Sequence, residues 1–318
     1  MIFKKPSWLH QFGLLGINRR NAEYIMRSNP RSFFPLVDDK FMTKRLAEAY
    51  QIPTPLLYHV IENHGDIAGL EKTLRDQSDF VVKPARGAGG SGIVLIADRQ
   101  ASNLVKPNGE VISWMDLTYH IFDILSGIYS LEGLEDRALI EAFIHPDPVF
   151  DAVTYYGVPD IRIAVYRGVP VMGMVRLPTR VSDGKANLHR GAIGVGINMK
   201  EGTTSTAVHR SSIITHHPDT NHPLNGIQVP YWKEMLLMAA RTSDMTGLGY
   251  LGVDMVIDKV RGPLLLELNA RPGLQIQVAN QRGLRSRLEL IDQAPSGIFT
   301  SPEERVEWAS KTFTESGV

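Results

Sequence analysis

The stretch FVVKPARGAGGSGIVLI, residues 80–96, places four glycines within six positions between two apolar runs. FVVKP and GIVLI both read as strands, so the glycines fall at the tip of a hairpin. Three nucleotide motifs overlap here, and the flanking residues remove each of them. Gly87, Gly89 and Gly92 satisfy G-x-G-x-x-G, but the dinucleotide fingerprint needs a helix directly after the glycines, whereas IVLI is strand. A Walker A lysine follows its glycines, while Lys83 precedes these. The kinase glycine loop does lie between strands, yet the chain holds neither H-R-D nor D-F-G. What remains is a lid: Gly87, Gly89, Gly90, Ser91 and Gly92 expose backbone N–H groups to phosphates, with the Lys83 charge at the base. A plain turn needs fewer glycines and avoids their ordering cost.

The rest of the chain narrows the setting. Its 318 residues can bury a substantial core in one large or two modest domains. With 34 basic and 34 acidic side chains, bulk electrostatics recruit neither nucleic acid nor an anionic membrane. The absence of cysteine excludes disulfides, thiolate metal sites and thiol nucleophiles, and fits a reducing cytoplasm. His10, Gln11 and Gly13 interrupt any apolar export signal. The most apolar later stretch, residues 111–131, contains Asp116, His120 and Asp123, which would be costly in a bilayer centre, so no transmembrane segment is expected.

Periodicity predicts an α+β chain. Residues 38–52 form an amphipathic helix that stops before Pro53 and Pro55, and strands follow at 56–61, 80–84, 92–96 and 138–144. Residues 69–77 and the polar-then-helical stretch 97–137 read as helical pieces between them. After a proline-punctuated loop, DIRIAVYRG and VPVMGMVRLP alternate as antiparallel strands joined at Gly168. PYWKEMLLMAARTSDMTG is a helix whose methionines fill a core, and YLGVDMVID pairs with GPLLLELN across KVRG. His209, His216, His217 and His222 lack the spacing of a zinc site and read as a polar surface loop.

The second hairpin supplies the second signal. Glu267 and Asn269 are two apart in a strand and share a face, and folding at 259–262 brings Asp254 opposite Glu267. Two carboxylates and an amide oxygen suit a hard cation such as magnesium. A phosphate lid and such a site imply a nucleoside triphosphate, and Arg162, Arg176, Arg180 and Arg190 suit an anionic transition state or a carboxylate substrate.

The order D-K, V-V-K before glycines, E-x-F-I, D-I-R, N-L-H-R-G, G-V-D and E-L-N-A-R-P-G resembles the ATP-grasp superfamily over about residues 38–290, and within it the alpha-L-glutamate ligase-like proteins related to the ribosomal-protein glutamate ligase. The resemblance implies two α+β subdomains sandwiching ATP: a lid subdomain, 38–144, with a helical insertion at 103–136, and a metal and substrate subdomain, 145–295. Residues 1–37 would stand in place of a full preceding domain, and 296–318 would be a tail. It implies an ADP-forming carboxylate-amine ligase that works through an acyl phosphate, adding glutamate or another amino acid to a peptide or small amine. A small-molecule phosphotransferase and a non-catalytic ATP-binding regulator are the alternatives. By position, Lys40 and Lys83 contact the phosphates, Glu141 with Ala142 and Phe143 meets the adenine edge, and Asp160 lies near the ribose. Asp254, Glu267 and Asn269 hold Mg2+ (Mn2+ as an alternative). Arg176, Asn187 and Arg190 lie at the acyl-phosphate end, Arg162 contacts a carboxylate or phosphate, and His189 contacts substrate or carries a proton. Residues 1–37 or 103–136 are candidates for contact with a partner or a second copy.

Overall fold

The computed structural model describes residues 12–87, 89–130, 133–295 and 300–313. Trp8, Ala88 and the outer parts of the expected terminal segments lie outside the described residues. Two compact units emerge: a smaller one of residues 39–44 and 54–144, and a larger one that includes 45–53, the described residues up to Asp38 and those from His145 onward.

The smaller unit is built on a four-stranded sheet in the order β1-β7-β2-β3, with β1 Leu57–Ile61, β2 Phe80–Pro84, β3 Val94–Ile96 and β7 Ala138–Glu141. The glycine hairpin forms as its sequence predicts, β2 pairing antiparallel with β3 through Phe80↔Ile96 and Val82↔Val94. The segment 103–136, expected to be helical, is helical only in part. β4 Asp98–Gln100, β5 Asn103–Val105 and β6 Val111–Ile112 make a three-stranded meander. The reason is local: at Pro107-Asn108-Gly109 the chain reverses, with Gly109 at φ 85° and its N–H bonded to the Lys106 carbonyl. Helix α2, Trp114–Leu125, then begins at a capping box in which Ser113 and Asp116 exchange bonds. It buries Leu117, Ile121 and Ile124 against Phe80, Val82, Ile96 and Ile140. Residues 69–77 give only one helical turn, Leu70–Thr73.

Helix α1, Lys40–Ala49, is capped by the Asp39 carboxylate, which accepts the N–H groups of Phe41 at 2.9 Å and Met42 at 3.2 Å.

The larger unit carries, among the described residues, a seven-stranded sheet ordered β12-β11-β10-β9-β8-β13-β14. The strands are β8 Asp160–Tyr166, β9 Val169–Leu177, β10 Ile193–Ile197, β11 Thr204–His209, β12 Ser212–Ile214, β13 Tyr250–Asp258 and β14 Gly262–Asn269. Period-two alternation splits their side chains between two cores. Ile161, Ile163, Val175, Val253 and Met255 face helix α3, Trp232–Thr246, whose Met235, Met238 and Met245 fill the gaps as expected. Ala164, Tyr166, Met172 and Met174 face the other way, toward α4 Gln275–Ala279, α5 Arg285–Gln293 and α6 Pro302–Thr312.

The described part of the N-terminal segment is bound into this unit. Asn29 donates to the carbonyls of Tyr250 at 2.8 Å and Ala270 at 3.0 Å and accepts the Tyr250 N–H. Arg20 donates to the Pro272 carbonyl, and Leu15 is buried. The Asn29 and Arg20 contacts brace the open end of the acidic hairpin, opposite its turn.

Candidate functional site

Strand register assembles the charged patch of the larger unit. Asp160 on β8 pairs with Arg176 on β9, Arg162 pairs with Asp254 on β13, and Asp254 pairs with Glu267 on β14. Directly opposed side chains in adjacent strands lie on one face, so the five groups form a row across four strands. Asp254 thus stands opposite Glu267, as folding at 259–262 required. The row is fully hydrogen-bonded at its centre. Arg162 forks onto Asp254 at 2.6 and 2.5 Å, Arg176 holds both oxygens of Asp160 and reaches Asp254 at 2.9 Å, and the Asn269 amide donates to Asp254 at 3.2 Å.

Burial alone would raise the Asp254 carboxyl, but the Arg162 and Arg176 guanidiniums override it and hold it well below the usual carboxylate range. Burial pushes Asp160 up to about 6, opposed by Arg176 and assisted by the Asp254 charge. Three carboxylates against two guanidiniums leave the row with one net negative charge. Glu267 and Asn269, both half-buried, are its accessible oxygen donors.

This donor chemistry fits magnesium, though not as a protein-only cage. Among the described residues no three His, Cys, Asp or Glu side chains converge on one point, and both Asp254 oxygens already accept guanidinium protons. Magnesium is commonly held by one or two carboxylates together with substrate phosphates, and Glu267 and Asn269 supply that much.

The N-L-H-R-G turn lies in the same unit. Asn187 caps it by accepting the His189 N–H at 3.0 Å on Oδ1. His189 is exposed, with its Nε2 2.8 Å from Gln275 Nε2. An amide nitrogen only donates, so His189 Nε2 accepts. Arg190 is exposed as well.

In the smaller unit, Glu141 at the end of β7 is 2% exposed and bridges Lys83 at 2.6 Å and Lys44 at 3.0 Å. Burial would raise its carboxyl; the two lysines outweigh that and hold it below its ordinary value. The trio keeps one net positive charge at the base of the glycine hairpin. The Glu141 carboxylate, expected at the adenine edge, is paired with the two lysines, and the Ala142 N–H donates to the Leu56 carbonyl at 2.8 Å. The Asp160 carboxylate, expected near the ribose, is paired with Arg176. Lys40 donates to the Gly87 carbonyl and so ties α1 to the glycine loop.

Sequence reading missed Lys44 and a network around the loop stem. Asp39 bonds Arg86 at 3.3 Å and Arg137 at 2.8 Å, while the Asp136 carboxylate accepts the Arg86 N–H at 2.9 and 3.1 Å. Lys44 was findable, since it lies one helical turn after Lys40 on the same face. The Asp136 contact joins residues fifty apart and left no local trace. The histidine loop needs correction too: His217 is 1% exposed, donating from Nε2 to the Pro178 carbonyl at 3.0 Å and accepting the Asp219 N–H at Nδ1.

The model of a family described as "Sugar-transfer associated ATP-grasp" matches residues 19–293. The chain belongs to this ATP-grasp family. Its fold is accordingly the α+β ATP-grasp fold that the motif order implied. A "Probable alpha-L-glutamate ligase" from Sodalis glossinidius (strain morsitans) is 24% identical over 203 residues, which is 64% of this ATP-grasp chain. The chain spans about half, 47%, of that curated relative's length. Among solved structures, the ATP-grasp ligase PsnB complexed with minimal precursor is similar at a TM-score of 0.46 and 13% identity, covering 84% of this chain and 64% of that one. The D-alanine-D-alanine ligase from Coxiella burnetii gives 0.44 and 15%, covering 88% and 58%. No helix among the described residues is long and apolar enough to cross a membrane.

Proposed function

We propose that this ATP-grasp protein is an ADP-forming carboxylate-amine ligase. One observation carries the reading: the strand register that sets Glu267 and Asn269 beside Asp254 and two partly buried arginines. A site that only bound nucleotide would not need two guanidiniums oriented by buried carboxylates. A site that stabilises a transferring phosphoryl group does.

In this reading a carboxylate oxygen of the acid substrate attacks the γ-phosphorus of ATP, the bond to the β-phosphate oxygen breaks, and ADP leaves. The amine then attacks the acyl carbon, phosphate departs with the electron pair of the carbon–oxygen bond, and the amine nitrogen loses a proton. Magnesium, bound by Glu267 and Asn269 with the phosphates, would neutralise phosphate charge. The Lys83–Glu141–Lys44 trio supplies one positive charge to the phosphates, and the glycine tip supplies N–H groups. Arg176 and Arg162 hold their planes rigid through Asp160 and Asp254, while exposed Arg190 meets the acyl phosphate. His189 Nε2 can take the amine proton when the substrate amine displaces the Gln275 N–H that it accepts. A glutamate donor is consistent with the curated relative's printed name, and the family description makes amino sugars reasonable acceptors beside peptides.

The test is a screen of amino acids and small acids against amine and amino-sugar acceptors, read by ADP release and product mass. ADP formation that needs both substrates, with an amide product, and its loss in Glu267→Gln, would support the proposal. Glu267 is preferred to Asp254 as the probe. Removing the Asp254 charge strands partly buried guanidiniums at a stability cost of about 3 kcal/mol. ADP with a phosphorylated product and no amide would make the protein a phosphotransferase. Tight ATP binding without turnover across the panel would make it a regulator.

A further inference from the structure

The glycine loop is held from outside its own hairpin. The chain running from α2 to residue 130 touches it at three points, all within the smaller unit. His120 Nε2, on α2, lies 2.8 Å from the Gly92 carbonyl. A carbonyl cannot donate, so the proton is on Nε2 and the ring donates. The Tyr129 ring lies beside His120, tilted by 40° with centroids 5.3 Å apart, and its hydroxyl faces His120 Nδ1 at 3.4 Å. The Tyr129 ring also lies flush on Gly92, where an added Cβ would fall 2.6 Å from Tyr129 Cγ. Ser130 forms a β-bridge with Gly87 at the other end of the loop.

These contacts complement those on the stem, where Lys40 holds the Gly87 carbonyl and Asp136 holds the Arg86 N–H. Both ends are therefore pinned, and the tip between them is open: a Cβ on Gly90 would meet nothing within 4 Å. Gly89, Gly90 and Gly92 all have positive φ, at 63°, 76° and 74°, a conformation such a flexible run would not keep unaided. A loop ordered only by its ligand subtracts that ordering cost from affinity, whereas a loop already held does not.

We propose that His120 and Tyr129 are positioning residues that fix the glycine loop in its phosphate-binding shape. The segment 103–136 would in this way serve the glycine loop of its own unit. The inference rests on the reading of the loop as a phosphate lid.

The experiment measures binding of Mg–ATP and of adenosine by calorimetry for the wild-type protein and for His120→Ala, His120→Gln, Tyr129→Ala and Tyr129→Phe, with hydrogen exchange at residues 89–92 as the structural readout. Adenosine lacks the phosphates that the loop would meet, so it reports on everything except the lid. His120→Ala and Tyr129→Ala should weaken Mg–ATP about fivefold, the scale of one lost hydrogen bond, speed exchange at the loop and leave adenosine unchanged. His120→Gln retains a donor and Tyr129→Phe retains the ring, so both should stay near wild type. Equal loss of adenosine and Mg–ATP affinity would overturn the proposal in favour of general destabilisation. Wild-type Mg–ATP affinity in both alanine variants, with adenosine still bound, would overturn it while leaving the nucleotide reading intact. A wild-type protein that binds adenosine and Mg–ATP equally would sink the lid itself and this proposal with it.

Discussion

His217 shows what a single residue can hide. Adjacent histidines beside prolines read as solvated, because no periodicity tells which of the two turns inward. The structure turns in His217 and leaves His216 exposed. Burial lowers its pKa below the ordinary 6.5, outweighing the Pro178 carbonyl, and the Asp219 N–H aimed at Nδ1 blocks the second proton. The folded value lies below the unfolded one, so the unfolded chain binds more protons at mildly acid pH. Its contribution to stability is complete above about pH 6.5 and drains away as pH falls. Urea unfolding at pH 7.5 and 5.5 should show a larger loss of stability for wild type than for His217→Gln, which has no ring to protonate. Equal losses would mean that other groups set the acid sensitivity. Asp254, by contrast, was legible opposite Glu267, because a turn and a two-residue period suffice. That Arg162 and Arg176 neutralise it was not, since β13 pairs on its other side with β8, and β8 in turn with β9, both far earlier in the chain.

At the scale of the element, the acidic hairpin depends on its turn. The Asp258 carboxylate accepts N–H groups from Val260 at 3.0 Å and Arg261 at 2.9 Å, and with its other oxygen from His145 at 3.1 Å. It therefore fixes both where β13 reverses and where the incoming chain joins it. A bulge after Asp254 already shifts the pairing, so that Met255 faces Leu265. The register at Asp254 thus relies on the turn being tight. Asp258→Ala should cost about 3 kcal/mol in chemical denaturation and lower turnover with it, whereas Asp258→Asn, which keeps one carbonyl oxygen, should cost less. If Asp258→Ala unfolds like wild type, the turn sequence holds the register without its carboxylate. The pairing of the two strands around the glycines was readable, since those strands announce themselves. The meander at 98–112 was not, because two- and three-residue strands carry no period, and only the Pro-Asn-Gly turn betrays them.

For the whole molecule, the interleaving of the units bears on how the chain unfolds. The smaller unit is drawn from two stretches, 39–44 and 54–144, and helix α1 contributes its first turn to one unit and its remainder to the other. From the sequence, a break at the proline-rich loop after residue 144 was visible, but the passage of 45–53 into the larger unit was not. Ala47 and Ile52, which carry it, look like any apolar residues of an amphipathic helix and its exit, yet both are buried in the core under β8 and β13. Each hydrophobic core draws on one unit alone, with Phe80, Ile121 and Ile140 in the smaller and Val253, Met255 and Met235 in the larger. Cores that share no side chains can open separately, and the unit with less apolar burial opens at the lower free energy. Native-state hydrogen exchange in rising denaturant should therefore resolve two cooperative openings. Amides of β2 and β7 should merge at the lower free energy, and those of β13 and β14 at the higher. Mg–ATP added at saturation should raise the lower opening if the glycine hairpin holds the phosphates, since a ligand stabilises whatever must be folded to bind it. A single opening shared by β2 and β13 would show that α1 couples the two units into one cooperative fold.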